Sequence, residues 1–370
     1  MAQEESVKHT KWQVALGLAA AAAVAVTLVV LAFLWPTVTS SAKSLPIAIS
    51  GPTAPVQQLK AQLEKASEGV FELTVVESRD AAVSGIKDRS YYGAIVIGQA
   101  PEVLEASAAG PAPLQMMNQL AQNLQQQLSL QAAQAAAAGA PATPTVKLVV
   151  TDVVPLASTD ARGTGLAAAS FPMVLGGMIG GILLSLLLSG VWRRLVGVAT
   201  YAVLVGFLAA AVLGPWFGIV QGNFLLNVAV IALSAFATAV FIVGATALLG
   251  RAGVAVGSVI TMLIGNPLSS ATQPVQFMAE PWGAIGQWFV PGASTTLLRD
   301  ASYFPESPTL FSWLVLAGWA LLGIVLSMIG HFRNQEVVEV AAFEEAGTDS
   351  PVLDGTGSRT SEAPAKHLAL

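Results

Sequence analysis

The hydrophobic pattern changes character twice along this chain. From Phe171 to Phe332 it forms five nearly uncharged apolar runs, 171–191, 195–214, 225–249, 251–265 and 311–330. A helix needs about 20 apolar residues to cross a hydrocarbon core of roughly 30 Å, and four of these runs reach that length. The run from Arg251 to Gly265 is shorter and breaks at Asn266-Pro267. A further run of 22 residues, Val14 to Trp35, lies near the N-terminus. It exceeds the roughly 7–15 residues of a signal-peptide core, and no clean Ala-x-Ala site follows it. We read it as an uncleaved span with Trp12 and Trp35 at its two interfaces and Pro36 ending it; cleavage near Ala42 is the alternative.

Between these regions the period shortens. Leu45–Ser50 reads as a strand, and Pro55–Ser67 as a helix, its apolar positions Val56, Leu59 and Leu63 spaced for one face. Phe71–Glu77 alternates like a half-buried strand, Arg79–Arg89 reads as a short helix, and Tyr92–Ile97 as an apolar strand beside which Glu102–Ser107 pairs. Pro111–Ala138 is rich in Gln and Ala, which predicts a helix of about 40 Å at 1.5 Å per residue. After the linker Gly139–Pro144, Lys147–Val153 returns as a strand. Alternating strands and helices predict a small α/β sandwich with a mainly parallel sheet.

Composition supports a membrane protein. Hydrophobic residues make up 54% of the chain and charged ones 11%, against about 25% charged in an ordinary soluble domain. The net charge of −5 lies largely in the C-terminal tail, and no stretch is basic enough for nucleic acid. With no cysteine, disulfides and thiol chemistry are excluded. Lysine and arginine set the orientation: Lys8, Lys11, Arg193, Arg194, Arg251 and Arg333 share one face if the N-terminus is inside, and the loop 214–224 on the other face has neither. The expectation is an α-helical polytopic protein of the plasma membrane with six spans and a broken re-entrant hairpin before the last. Residues 1–13 form a cytoplasmic N-terminus, 14–35 the first span, 36–165 an extracytoplasmic α/β domain, and 166–333 a five-span region. Residues 334–370 form a disordered cytoplasmic tail.

The search for chemistry is mostly negative. There is no Gly-x4-Gly-Lys phosphate loop, hence no nucleotide-binding domain within the chain, and no cofactor is implied. His9, His331 and His367 stand far apart in sequence. Asp152, Asp160 and Arg162 read as an acid pair with a partner or, more simply, as ion-paired charges at a domain–membrane junction. Nothing argues for an enzyme. Gly176-Gly177, Gly180-Gly181, Ser185 and Ser189 form a small-residue stripe that Gly253 and Gly257 repeat; it serves packing within the chain or a homodimer face.

The stretch 266–299 is too polar to cross a membrane and too apolar for an ordinary loop. Non-helical backbone at membrane depth persists only where protein or a wet cavity satisfies it, so we read a broken re-entrant hairpin; a loop lying flat in the interface is the alternative. Its candidate translocation residues are Asn266, Pro267, Gln273, Glu280, Trp282, Gln287, Trp288, Pro291 and Arg299. On the opposite face Trp192, Arg193, Arg194 and Arg251 are candidates for coupling to a partner.

One span, an α/β domain and then five spans with a broken hairpin resembles the type-2 ABC exporter permeases, and more closely their YhgE/Pip (phage infection protein) branch in Gram-positive bacteria. The residues carrying the likeness are Leu45-Pro46-Ile47-Ala48-Ile49, Tyr92-Gly93-Ala94-Ile95-Val96-Ile97, Asp152 through Gly163, Gly265-Asn266-Pro267-Leu268-Ser269, Trp288 through Ala293, and Leu297-Leu298-Arg299. The resemblance implies outward movement of an amphipathic or lipid-like substrate, dimerisation, and a separate ATP-binding subunit on the cytoplasmic face. Alternatively it implies a non-transporting surface role in which the outer domain binds a phage or an envelope ligand. The chain departs from that pattern at Val191-Trp192-Arg193-Arg194-Leu195, too short a loop for a full coupling helix.

Overall fold

The computed structural model describes residues 11–67, 69–138 and 147–348, without side chains for 334–348. The chain opens with α1, Trp12–Thr39, nearly every residue of which faces outward. Pro36 does not end it. Proline's fixed φ is compatible with a helix, and here the helix carries Pro36, runs one more turn and closes with Ser40 N–H donating to Pro36 O (3.1 Å).

The α/β domain follows: β1 Leu45–Ser50, α2 Thr53–Ala66, β2 Phe71–Val75, α3 Arg79–Lys87, β3 Gly93–Val96, β4 Glu102–Glu105, α4 Pro111–Ala137 and β5 Val149–Asp152. The sheet order is β2-β1-β3-β4-β5, with every pairing parallel except β3 with β4. Side chains alternate across it as the strand period dictates. Leu45, Ile47, Ile49, Ile95 and Val103 face α2 and α4, while Ala48, Ala94 and Leu104 face α3. The expected linker 139–144 lies outside the described residues.

Among the described residues five helices are long and apolar enough to cross a membrane, which makes this a helical multi-pass membrane protein: α1, α5 Gly165–Leu187, α6 Val191–Ala211 with π turns to Trp216, α7 Phe224–Leu249, and α11 from Leu310 to Arg333. The run predicted as another span is α8, Arg251–Ser258, continuing as π turns to Gly265; at 15 residues it spans only about 22 Å. After it come the short α9, Trp282–Gly286, and α10, Val290–Tyr303, so the hairpin ends four residues later than expected. The backbone of α11 continues to Thr348, where a disordered tail is expected from composition. Glu, Val and Ala dominate 335–345, and Glu and Ala favour helix more than the Ser-, Thr-, Gly- and Pro-rich residues beyond do. Residues 349–370 lie outside the described residues.

At the centre stands α7, against which α5, α6, α8, α10 and α11 all pack. The small-residue stripe serves that packing. Gly177 and Gly181 of α5 lie against Thr238 and Ala239 of α7, Gly257 of α8 against Ile242, and Gly323 of α11 against the backbone of Val240 and Phe241. Lipid gives apolar helices no drive to associate, so close backbone approach through glycine supplies the contact area that holds them.

Candidate functional site

The hairpin joins the α/β domain to the helical bundle, and its residues meet both. Beyond Gly265 the chain leaves the bundle, and Phe277 inserts among Leu45, Ile47 and Met117 on the α2/α4 face of the sheet. Ser41 N–H donates to Phe277 O (3.0 Å), and Tyr92 Oη donates to Gln276 Oε1 (3.3 Å). The chain then turns back through α9, where Gly283 and Gly286 lie against the carbonyls of Val275 and Leu268. It reaches the bundle again at Trp288, then climbs through the buried α10. Phe304, just past α10, enters the other core of the domain beside Ala82, Ile86 and Leu104. One segment of the bundle therefore completes both cores of the sheet.

A buried charge cluster fixes the second attachment. Asp300, 3% exposed, accepts a short charge-assisted hydrogen bond from Arg89 Nη1, and Arg89 Cζ lies 5.4 Å above the Phe304 ring. Arg89 follows α3 and holds a positive φ of 65°, a strained backbone for a non-glycine residue. Burial pushes the Asp300 carboxyl up, and Arg89 opposes that shift. Beside it Arg299 donates Nη2 to Ala271 O (3.2 Å), and burial, with Arg89 close by, lowers it to about 10. Arg89 is the guanidinium that pairs with Asp300, so breaking that contact leaves both charges buried without compensation. At the rim Lys87 pairs with Glu306 (3.7 Å) and Lys43 with Glu280 (3.5 Å).

The predicted hairpin residues divide between these tasks. Asn266 and Pro267 open the turn after the π segment, and Pro291 starts α10 against Gly265. Gln287 accepts from Thr296 Oγ1 (2.8 Å), and Gln273 is half-buried without a described hydrogen bond. Trp282 stacks edge-on with Trp35 of α1 at 5.8 Å. Trp288, 63% exposed, stands edge-on to Phe311 at 5.0 Å while its carbonyl accepts from Trp319 Nε1 (2.7 Å). Trp288, Phe311, Leu314, Gly318 and Trp319 line an apolar groove of about 320 Å³. Glu280 stands on the surface, its side chain 88% exposed, away from that groove.

Comparison of the chain with known protein families, with curated proteins and with solved structures finds no match.

Asp152 accepts from Ser107 N and Oγ, tying the end of β5 to the turn after β4, and Asp160 accepts from the amides of Thr164 and Gly165 at the start of α5. Far from the domain, Trp192 and Arg193 are exposed, but Arg194 turns inward and donates Nε to Leu188 O (2.7 Å). Arg251 is exposed at the start of α8. His9 and His367 lie outside the described residues. Sequence reasoning missed Arg89 and the core role of Phe304. Arg89 sits 211 positions from Asp300, and no local pattern marks such a pair.

Proposed function

We propose that this protein is an ABC-exporter-like permease that moves an amphipathic, lipid-like molecule outward across the plasma membrane. The observation that carries this reading is the hairpin itself: its middle, at Trp288, shapes an apolar groove, and the stretches on either side, at Phe277 and Phe304, are locked into the two cores of the α/β domain. In this reading the termini are cytoplasmic and residues 36–165 are extracytoplasmic. An acyl chain lies in the groove beside Trp288, Phe311 and Gly318, while its headgroup stays at the membrane surface. A shift of the domain is transmitted through Phe277, Phe304 and the Arg89–Asp300 pair, moving α9 and α10 and changing the groove. The protein works as a dimer, and Trp192, Arg193 and Arg251 face a separate ATP-binding subunit. Only residues 188–190 separate α5 from α6, so that contact is made by exposed side chains rather than by a coupling helix.

Gly318 gives the direct test, because a side chain there meets nothing within 4 Å and fills the groove without a backbone clash. Gly318→Leu should cut efflux of a fluorescent short-chain phospholipid from intact cells at least roughly tenfold at unchanged expression, equivalent to losing about 1.4 kcal/mol of binding. Asp300→Asn should slow efflux with the groove intact. Wild-type efflux in both variants would remove the hairpin from the mechanism. The second reading, a surface protein whose domain binds a phage or an envelope component, draws on α4: 27 residues without one charged side chain, with an exposed outer half. Phage adsorption that tracks changes on α4, with efflux unaffected by Gly318→Leu, would favour it.

A further inference from the structure

The face of the bundle opposite the α/β domain carries a second site. The cavity there holds about 270 Å³ between the start of α6, the last turns of α7 and the stretch of α11 from Ser327 to His331. Ser189, Arg194, Val243, Ala247, Gly330 and His331 line it. It lies at the far end of α5, a 23-residue helix leading from the domain, hence about 34 Å away.

The chemistry of the lining selects the ligand. Among the described residues Arg194 and His331 are the titratable side chains of the lining, and none of those lining residues is a carboxylate. Arg194 gives Nε to Leu188 O, which fixes the guanidinium at the cavity wall; the structure describes no other hydrogen bond from its terminal nitrogens. A planar guanidinium held this way suits the oxygens of a phosphate. The surroundings separate a lipid from a free ion. Leu187, Trp192, Leu249 and Phe332 next to the lining positions are 49–75% exposed, a rim of large apolar side chains at a helix terminus. Such a rim favours a ligand with hydrocarbon attached.

We propose that this cavity binds the phosphate headgroup of an anionic phospholipid in the leaflet opposite the α/β domain, with Arg194 as its principal contact. This separates Arg194 from the exposed Trp192 and Arg193: it holds a lipid, and they remain for a protein partner.

The test uses the purified full-length chain in mild detergent, incubated with phosphatidylglycerol or phosphatidylcholine and read by native mass spectrometry. The wild type should retain phosphatidylglycerol in preference to phosphatidylcholine. Arg194→Gln should lower that retention roughly tenfold, the usual effect of removing one charged hydrogen-bonding partner. Arg193→Gln, at the neighbouring exposed position, should leave it unchanged. Because Arg194 also closes the α5–α6 turn, Ala247→Leu serves as the second variant, occupying the cavity while keeping that bond. It too should lower retention. Equal retention of the two lipids, or wild-type retention by Ala247→Leu, overturns the site. Full displacement of the lipid by millimolar inorganic phosphate overturns its assignment to a lipid.

Discussion

Helices α1 and α7 are the two most apolar of the membrane-spanning helices, and they meet opposite fates. Along α1 the only buried residue is Pro36, whereas α7 is buried over most of its length. Hydrophobicity therefore says that each belongs in a membrane and nothing of what each touches there. What differs is the backbone approach. Glycines on α5, α6, α8 and α11 bring those helices against α7, while Gly17 of α1 has nothing within 4 Å. The first span is held near its domain end by rings, Phe33 on Phe171 at 6.4 Å and Trp35 on Trp282 at 5.8 Å.

The same substitution in both helical environments puts that contrast at risk. Gly323→Leu pushes a side chain into the backbone of α7 and should cost about 1–3 kcal/mol or more through overpacking. Thermal unfolding in detergent should show a clearly lowered midpoint. Gly17→Leu should leave the midpoint unchanged, and equal effects would break the comparison. A smaller effect sharpens it. Trp35→Ala removes an edge-to-face pair valued at about 0.5–1.5 kcal/mol, so global stability should barely move. Amide exchange over 266–289 should nevertheless quicken, since the hairpin loses its tie to α1. Unaltered exchange would mean that α1 is fixed by something other than the ring contact.

The smallest expected effect lies in the α/β domain, at a buried carboxyl. Glu105 Oε2 is buried without a hydrogen-bond partner, and burial, then the nearby charge of Asp152, raises its pKa. A carboxyl whose folded pKa lies above its unfolded value contributes stability below the unfolded value and loses it as pH rises through the folded one. Glu105→Gln should therefore flatten the stability profile at the lower end of pH and help slightly at neutral pH. A steeper profile in the variant would reverse the assignment.

Much of this architecture was legible in the sequence because its signals are local. The long spans follow from run length, and the strands from alternation at Phe71–Val75 and the apolar stretch before Gly98. The break at Asn266-Pro267 marked the hairpin. Pro36 was misread as the end of α1, which instead carries it for one more turn. The helix over 334–348 was missed because the composition of the whole tail was averaged. At the candidate site, Trp288, Pro291 and Arg299 stood out as residue types, and Glu280 proved peripheral to the groove. Arg89 with Asp300 was not legible, since the fold alone joins residues that far apart.

Phe277 and Phe304 also set a timetable. The domain's last strand ends at Asp152, so ribosomes finish the sheet long before they make either ring. At roughly 5–20 residues per second, Phe304 follows about 8–30 s later. Until then each core of the domain lacks one of its rings, so neither is complete before the chain through α10 has been made.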